Sequence, residues 1–233
     1  MDEGNRTGAR RRKGLGWKPH WDPRDGDHLM ISHLRRDLVG VALPEEKLWR
    51  IGPILDQGEE GACVGYAWRA WMNARPIAND PERHLQAKDI YLRAQLVDEF
   101  PGREPEMSGT SVRAGAKVMV REGHLEEYVW SGSADEILAW VRAKGPLVFS
   151  TQWFDSMFEP DENGYVYPRG PIAGGHALCL FGIAANDDAH VQQSWGEDHG
   201  LEGCVKVDRK TLSYLISQGY VSACAAAQVR RQV

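Results

Sequence analysis

Between residues 62 and 71 apolar side chains recur at helical spacing. Ala62, Cys63, Tyr66, Ala67, Ala70 and Trp71 share a face, with Gly61 before them and Pro76 after. This predicts a buried helix that follows a glycine-punctuated turn, with Cys63 in its first turn. Amphipathic patterns over residues 89–100 and 110–123 predict two more helices. A fourth is predicted over 133–145, where Ser133 serves as N-cap, Glu136 completes a capping box and Gly145 closes the pattern. After residue 145 the period changes. Segments 146–153, 164–168, 176–184, 190–195 and 204–208 are short, rich in Val and aromatic residues, and broken by Gly, Pro, Asn and Asp. They read as strands. Helices followed by strands predict an α+β chain, with a helical lobe at about 55–145 and a sheet lobe at about 146–225.

Residues 1–40 have a different character and read as a basic, Gly- and Pro-containing, partly flexible leader before a body spanning 41–233. The run Arg10, Arg11, Arg12, Lys13 reads as a solvated tail in preference to a nucleic-acid or targeting patch. Pro19, Pro23 and Gly26 forbid a long helix here, while Trp17 and Trp21 suggest packing on the body.

Composition adds limits. The 233 residues suffice for one domain, or for two lobes sharing a cleft. A net charge of −5 gives no global reason to expect a nucleic-acid or membrane partner. No apolar run approaches the roughly 20 residues that span a bilayer. The N-terminus lacks the apolar segment of a secretory signal, so a cytoplasmic location is expected, with non-classical export left open. The four cysteines, at 63, 179, 204 and 224, show no CxxC spacing and are expected to be mostly reduced and buried. No metal site and no cofactor are expected, since neither CxxC nor HxxxH spacing occurs.

The candidate chemistry centres on Cys63. A thiol attacks an amide carbonyl as its thiolate, which a helix N-terminus and a nearby imidazolium both favour. Gln57, six residues earlier, offers a side-chain NH2 to a developing oxyanion, and Gly58 and Gly61 shape the loop between them. His176 is the candidate base, at the start of an apolar strand behind Gly174 and Gly175. Gln193 is the candidate orienter of the imidazole, and Trp195 would shield that bond from water. A lone buried cysteine is more often core, and a histidine after two glycines more often structural. Their order and spacing make the set specific.

Three stretches in that order resemble the papain-like cysteine peptidases. Residues 56–63, Asp-Gln-Gly-Glu-Glu-Gly-Ala-Cys, are similar to the family's Gln-Gly…Gly-Ser/Ala-Cys signature. Gly174-Gly175-His176-Ala177 resembles its histidine strand, and Gln193-Ser194-Trp195-Gly196 its Asn-Ser-Trp-Gly motif. The likeness covers roughly residues 15–222. It implies a two-lobed α+β fold, a helical lobe beside an antiparallel sheet or barrel lobe, with the site in the cleft between them. It implies a Cys63–His176 pair, an oxyanion hole from Gln57 and the Cys63 N–H, substrate contacts at Gly175 and Trp195, and a peptide or protein substrate. An acyl-transferase or amidase acting on a non-protein amide, or a catalytically weakened peptide-binding protein, are the alternatives.

The sequence departs from the family in four places. Gln193 stands where Asn is usual. Glu60 stands where secreted members often carry a disulfide cysteine, in keeping with a reducing compartment. Val64 replaces an aromatic and is expected to alter the wall near the thiol. The leader is short: it either packs on the body, which is the first expectation, or residues 15–40 cross the cleft and restrain activity. Of the rest, Cys179 is expected to face away from His176, Cys204 and Cys224 to be core, His190 and His199 to be exposed, and residues 186–188 to form a turn. Glu59 and Glu60 are read as a solvated loop face or a bias toward basic substrates.

Overall fold

The computed structural model describes residues 13–77, 85–218 and 226–227. Cys224 lies outside the described residues. Helix α1 spans Met30–Asp37, α2 Cys63–Asn73, α3 Ala87–Ala94, α4 Val112–Arg121, α5 Ala134–Ala143 and α6 Arg209–Ser217. Strand β1 is Lys47–Leu48, β2 Tyr128–Val129, β3 Leu147–Phe154, β4 Ile172–Ile183, β5 Ala189–Gln192, β6 Cys204–Val207 and β7 Ala226–Ala227.

The helix ends follow their caps. Ser111 Oγ accepts from the Ala114 N–H, and Ser133 Oγ from the Glu136 N–H at 3.2 Å. The predicted box is only half formed, because Ser131 Oγ, not Glu136, accepts from the Ser133 N–H. Helix α3 stops at Ala94, short of the predicted residue 100. Gln95 is buried there, and its side chain turns to the Met107 and Gly109 carbonyls.

Strand β4 organises the molecule. It pairs antiparallel with β3, β1 and β5, and β5 pairs with β6. The result is the expected α+β fold; of the two forms expected for the sheet lobe, it takes the open antiparallel sheet and not the closed barrel. Side chains alternate across β4 with period two. Ala177 and Cys179 join Trp68, Trp71 and Met119 of α2 and α4 in one core. Leu178 and Leu180 join residues of α1, α5 and α6 in the other. Segment 164–168, expected as a strand, makes only an isolated bridge between Tyr165 and Lys206. Cys204 is half-buried, not core, because β6 alternates and the cysteine sits at its outer end. Val64 is buried against Gly115 of α4, so it belongs to the core and not to a cleft wall. Among the described residues no helix is long and apolar enough to cross a membrane.

Candidate active site

Cys63 is the first residue of α2, where backbone N–H groups lack intrahelical acceptors and the helix dipole favours an anion. The Ala177 and Trp17 backbone amides lie close enough to its thiol to favour the charged form. That places the sulfur beside the chain at residue 177, next to His176.

His176 is not at a strand start as expected; it lies five residues into β4, opposite Thr151 of β3. The strand begins earlier because Gly175, Gly174 and, past a register shift, Ile172 continue the ladder with β3. The imidazole is stacked on the Trp195 indole, with ring centroids 4.4 Å apart, and met edge-on by Trp153 at 5.0 Å. Its Nε2 lies 2.9 Å from Gln193 Oε1. An amide oxygen only accepts, so Nε2 carries the proton and Nδ1 presents a lone pair. Nδ1 is buried with no hydrogen-bond partner.

Gln57 is buried and stitched to the loop after β5. Its N–H donates to the Ser194 carbonyl, its Oε1 accepts from Ser194 Oγ, and its Nε2 donates to the Glu60 carbonyl at 2.7 Å. One N–H of that amide is thus engaged, and the second remains for an oxyanion. Gly196 N–H donates to the Leu55 carbonyl, which closes the two loops together.

No family model matches this sequence, and no curated protein is similar to it. Solved structures are similar. Xylellain, a cysteine protease from Xylella fastidiosa, superposes with a TM-score of 0.65 at 17% identity, covering 93% of this chain and 95% of that one. Digestive procathepsin L 3 of Tenebrio molitor larval midgut gives 0.60 at 14% identity, covering 92% and 84%. The bromelain protease of Ananas comosus, in complex with the E64 inhibitor, gives 0.56 at 14% identity, covering 78% and 97%. The chain has the papain-like cysteine protease fold.

Within that papain-like fold only residues 13–18 of the leader lie across the cleft, while residues 20–37 pack on the body, so each of the two expectations holds for part of it. Gly16 and Trp17 both donate to the Gly175 carbonyl at 3.0 Å. On the other side Lys18 donates to the Thr110 carbonyl and Thr110 to the Gly16 carbonyl, each at 2.9 Å. Gly14 donates to the Gly58 carbonyl at 2.8 Å and accepts from the Trp195 indole N–H at 2.9 Å. The slot is too narrow for side chains. A Cβ on Gly14 would lie 2.1 Å from the Glu60 oxygen, one on Gly16 1.9 Å from the Gly61 oxygen, and one on Gly175 2.2 Å from the Trp17 oxygen. Gly16 also has φ +146°.

Under this cover Cys63 and His176 are both 0% exposed. Burial pushes the Cys63 thiol up to about 12, against the pull of the Ala177 and Trp17 amides. Burial pulls the His176 imidazole down to about 3, opposed by the Gln193 bond. In this covered arrangement desolvation disfavours the charged form of both groups and opposes the pull of the helix terminus on Cys63.

The structure brings Cys63, His176, Gln193, Gln57, Gly175 and Trp195 to one cleft. Cys179 faces away from His176 with Ala177, as its odd spacing requires. His199, expected at the surface, is buried, because the loop after β5 folds back and lays it edge-on against Trp195 at 4.9 Å. Sequence reasoning passed over Ser194, which fixes Gln57, although it lies inside the quoted motif. It also missed Trp153, whose only signal is its place on an apolar strand. Glu60 is paired with Lys88 at 2.6 Å on the exposed loop face.

Proposed function

We propose that the protein is a cysteine peptidase in which Cys63 attacks the peptide carbonyl and His176 moves the protons, with residues 13–18 acting as a cover that must leave first. The observation that carries this reading is the state of His176. Gln193 fixes its tautomer and leaves Nδ1 unpartnered and buried, on the same strand whose next backbone amide favours the Cys63 thiolate.

With the cover gone and water admitted, the desolvation that keeps both groups neutral is relieved. The Cys63 proton passes to His176 Nδ1. The thiolate adds to the carbonyl carbon, and the oxyanion is met by the Cys63 N–H and the remaining Gln57 N–H. His176 then protonates the leaving amine as the C–N bond breaks, leaving a thioester on Cys63. Water, deprotonated by His176, attacks the thioester; the acid leaves and the thiol is restored. Gln193 holds the ring through both half-reactions, and Trp195 and Trp153 keep water from its bond to the imidazole.

The test is a diverse peptide library under reducing conditions, read by mass spectrometry, with full-length Gly16→Ala and with the same chain carrying Cys63→Ala. Cleavage by the first and none by the second is the expected result. Equal cleavage, or none from a chain whose Cys63 alkylates readily, refutes the peptidase. In the same assay Gln193→Ala is expected to lower kcat by about tenfold or more, and Gln193→Asn to retain most of it.

A further inference from the structure

The last residue of the basic run does not hang free in solvent, as the sequence suggested. Lys13 Nζ reaches His199 Nδ1, and the ammonium lies over the Trp195 ring, 5.2 Å from its centroid. An ammonium only donates, so Nδ1 supplies a lone pair and His199 is the neutral tautomer protonated at Nε2. His199 is 5% exposed, and its Nε2 is buried without a hydrogen-bond partner. Burial, with Lys13 adding to it, holds the ring neutral and pulls its pKa down to about 4. A buried imidazole whose one available lone pair opens on the cleft, beside an indole face already stacked on His176, is a built receptor for a cation.

Its shape selects among cations. One ring face and one acceptor suit a compact point charge with rotatable donors; a planar guanidinium would want a second acceptor to fill its fork. Glu197 and Asp198 are exposed on the same loop. The backbone next to the cation is fixed by Gly14, between Gly58 and the Trp195 N–H, so the ammonium arrives at a defined distance along the cleft.

We propose that the Trp195 face and His199 Nδ1 form a lysine-accepting subsite of the cleft. Lys13 fills it while the leader is seated, and a lysine side chain of the substrate polypeptide fills it afterwards. The substrate half of this assignment rests on the peptidase reading, whereas the subsite itself does not. His199 is then a specificity-determining residue.

The test uses the full-length Lys13→Ala/Gly16→Ala chain, whose own leader can neither seat nor supply the cation. Iodoacetamide alkylation of Cys63 is followed by mass spectrometry in the presence of two synthetic peptides of residues 10–21, one with lysine and one with norleucine at position 13. The lysine peptide is expected to protect Cys63 at about tenfold lower concentration. Adding His199→Phe is expected to erase the difference, and His199→Gln, which keeps an acceptor, to preserve it; thermal melts confirm that each variant is folded. Equal protection by the two peptides, including none, overturns the proposal, as does a difference that survives His199→Phe. The readout needs no peptide-bond cleavage. A chain that distinguishes the peptides but cuts nothing keeps the subsite and loses the peptidase. A chain that cuts the library without a lysine preference that His199→Phe removes keeps the peptidase and loses the subsite.

Discussion

The two halves of the leader are held in different ways. Residues 13–18 are fixed mainly through their backbone, by hydrogen bonds to Gly58, Thr110 and Gly175 in a slot that fits only glycine at positions 14 and 16. Residues 20–37 are held by side chains. Arg113, buried on α4, pairs with Asp25 and donates to His20. The Met30 N–H donates to the Trp130 carbonyl and the Trp130 N–H to the His28 carbonyl. Met30 and Leu34 are inserted in the larger core, and Lys144 pairs with Asp37 at 2.7 Å. The first half is a seat, which a single methyl group can deny. The second is an anchor, which comes away only with part of the core. If the seat leaves as proposed, this division would keep the leader attached while the cleft opens.

The sharpest way to break that contrast is Gly16→Ala. The added Cβ meets the Gly61 carbonyl oxygen, so the seat fails and the anchor does not. Moving Cys63 from about 12 toward an ordinary thiol pKa raises the thiolate fraction at pH 7 by about a thousandfold, and iodoacetamide labelling of Cys63 is expected to rise on that scale. An unchanged rate means that the backbone seat is not what silences the thiol. Met30→Ala is the converse. Truncating this fully buried side chain is expected to cost about 2–4 kcal/mol in denaturant unfolding, with far less effect on labelling under native conditions. If Met30→Ala opens the thiol as much as Gly16→Ala, seat and anchor are one unit.

A smaller effect comes from acid. His176 and His199 are held neutral, at about 3 and about 4, and would titrate near 6.5 in the unfolded chain. The folded state therefore binds fewer protons between those values. Their contribution to stability is present above pH 6.5 and is lost as pH falls toward 3–4, by at most about 1.4 kcal/mol per pH unit for each ring. Melting temperatures measured from pH 7 to pH 4.5 are expected to fall along that slope, and His199→Phe to make it shallower. A flat profile means that one or both rings are solvated in the folded protein, and with them the seat.

The sequence displayed the parts of this molecule that repeat a local pattern. The helix at Cys63, the cap at Ser133 and the strand around His176 follow from periodicity and residue chemistry within a dozen positions. The cleft residues were legible because Cys63, His176 and Gln193 lie in short motifs in a distinctive order. Helices α1 and α6 were missed, and α1 sits in a segment whose Pro and Gly residues suggested irregular chain. The burial of His199 was illegible for another reason. It depends on a loop folding back over Trp195 and on Lys13, 186 residues away in sequence. The leader's seat is likewise a fit between glycines of four distant segments, and no window of sequence contains it.

Trp17 gives the closed state an optical signature. It is the leader indole buried against the Cys63 helix, whereas Trp21, four residues on, already lies 69% exposed. Withdrawal of residues 13–18 takes Trp17 from an apolar environment into water and also frees the Trp195 indole, which loses Gly14 and Lys13. The Trp17 emission shifts to the red as the cleft opens, so the change can be followed in a stopped-flow fluorimeter without a label, with Trp17→Phe isolating the part that comes from Trp195.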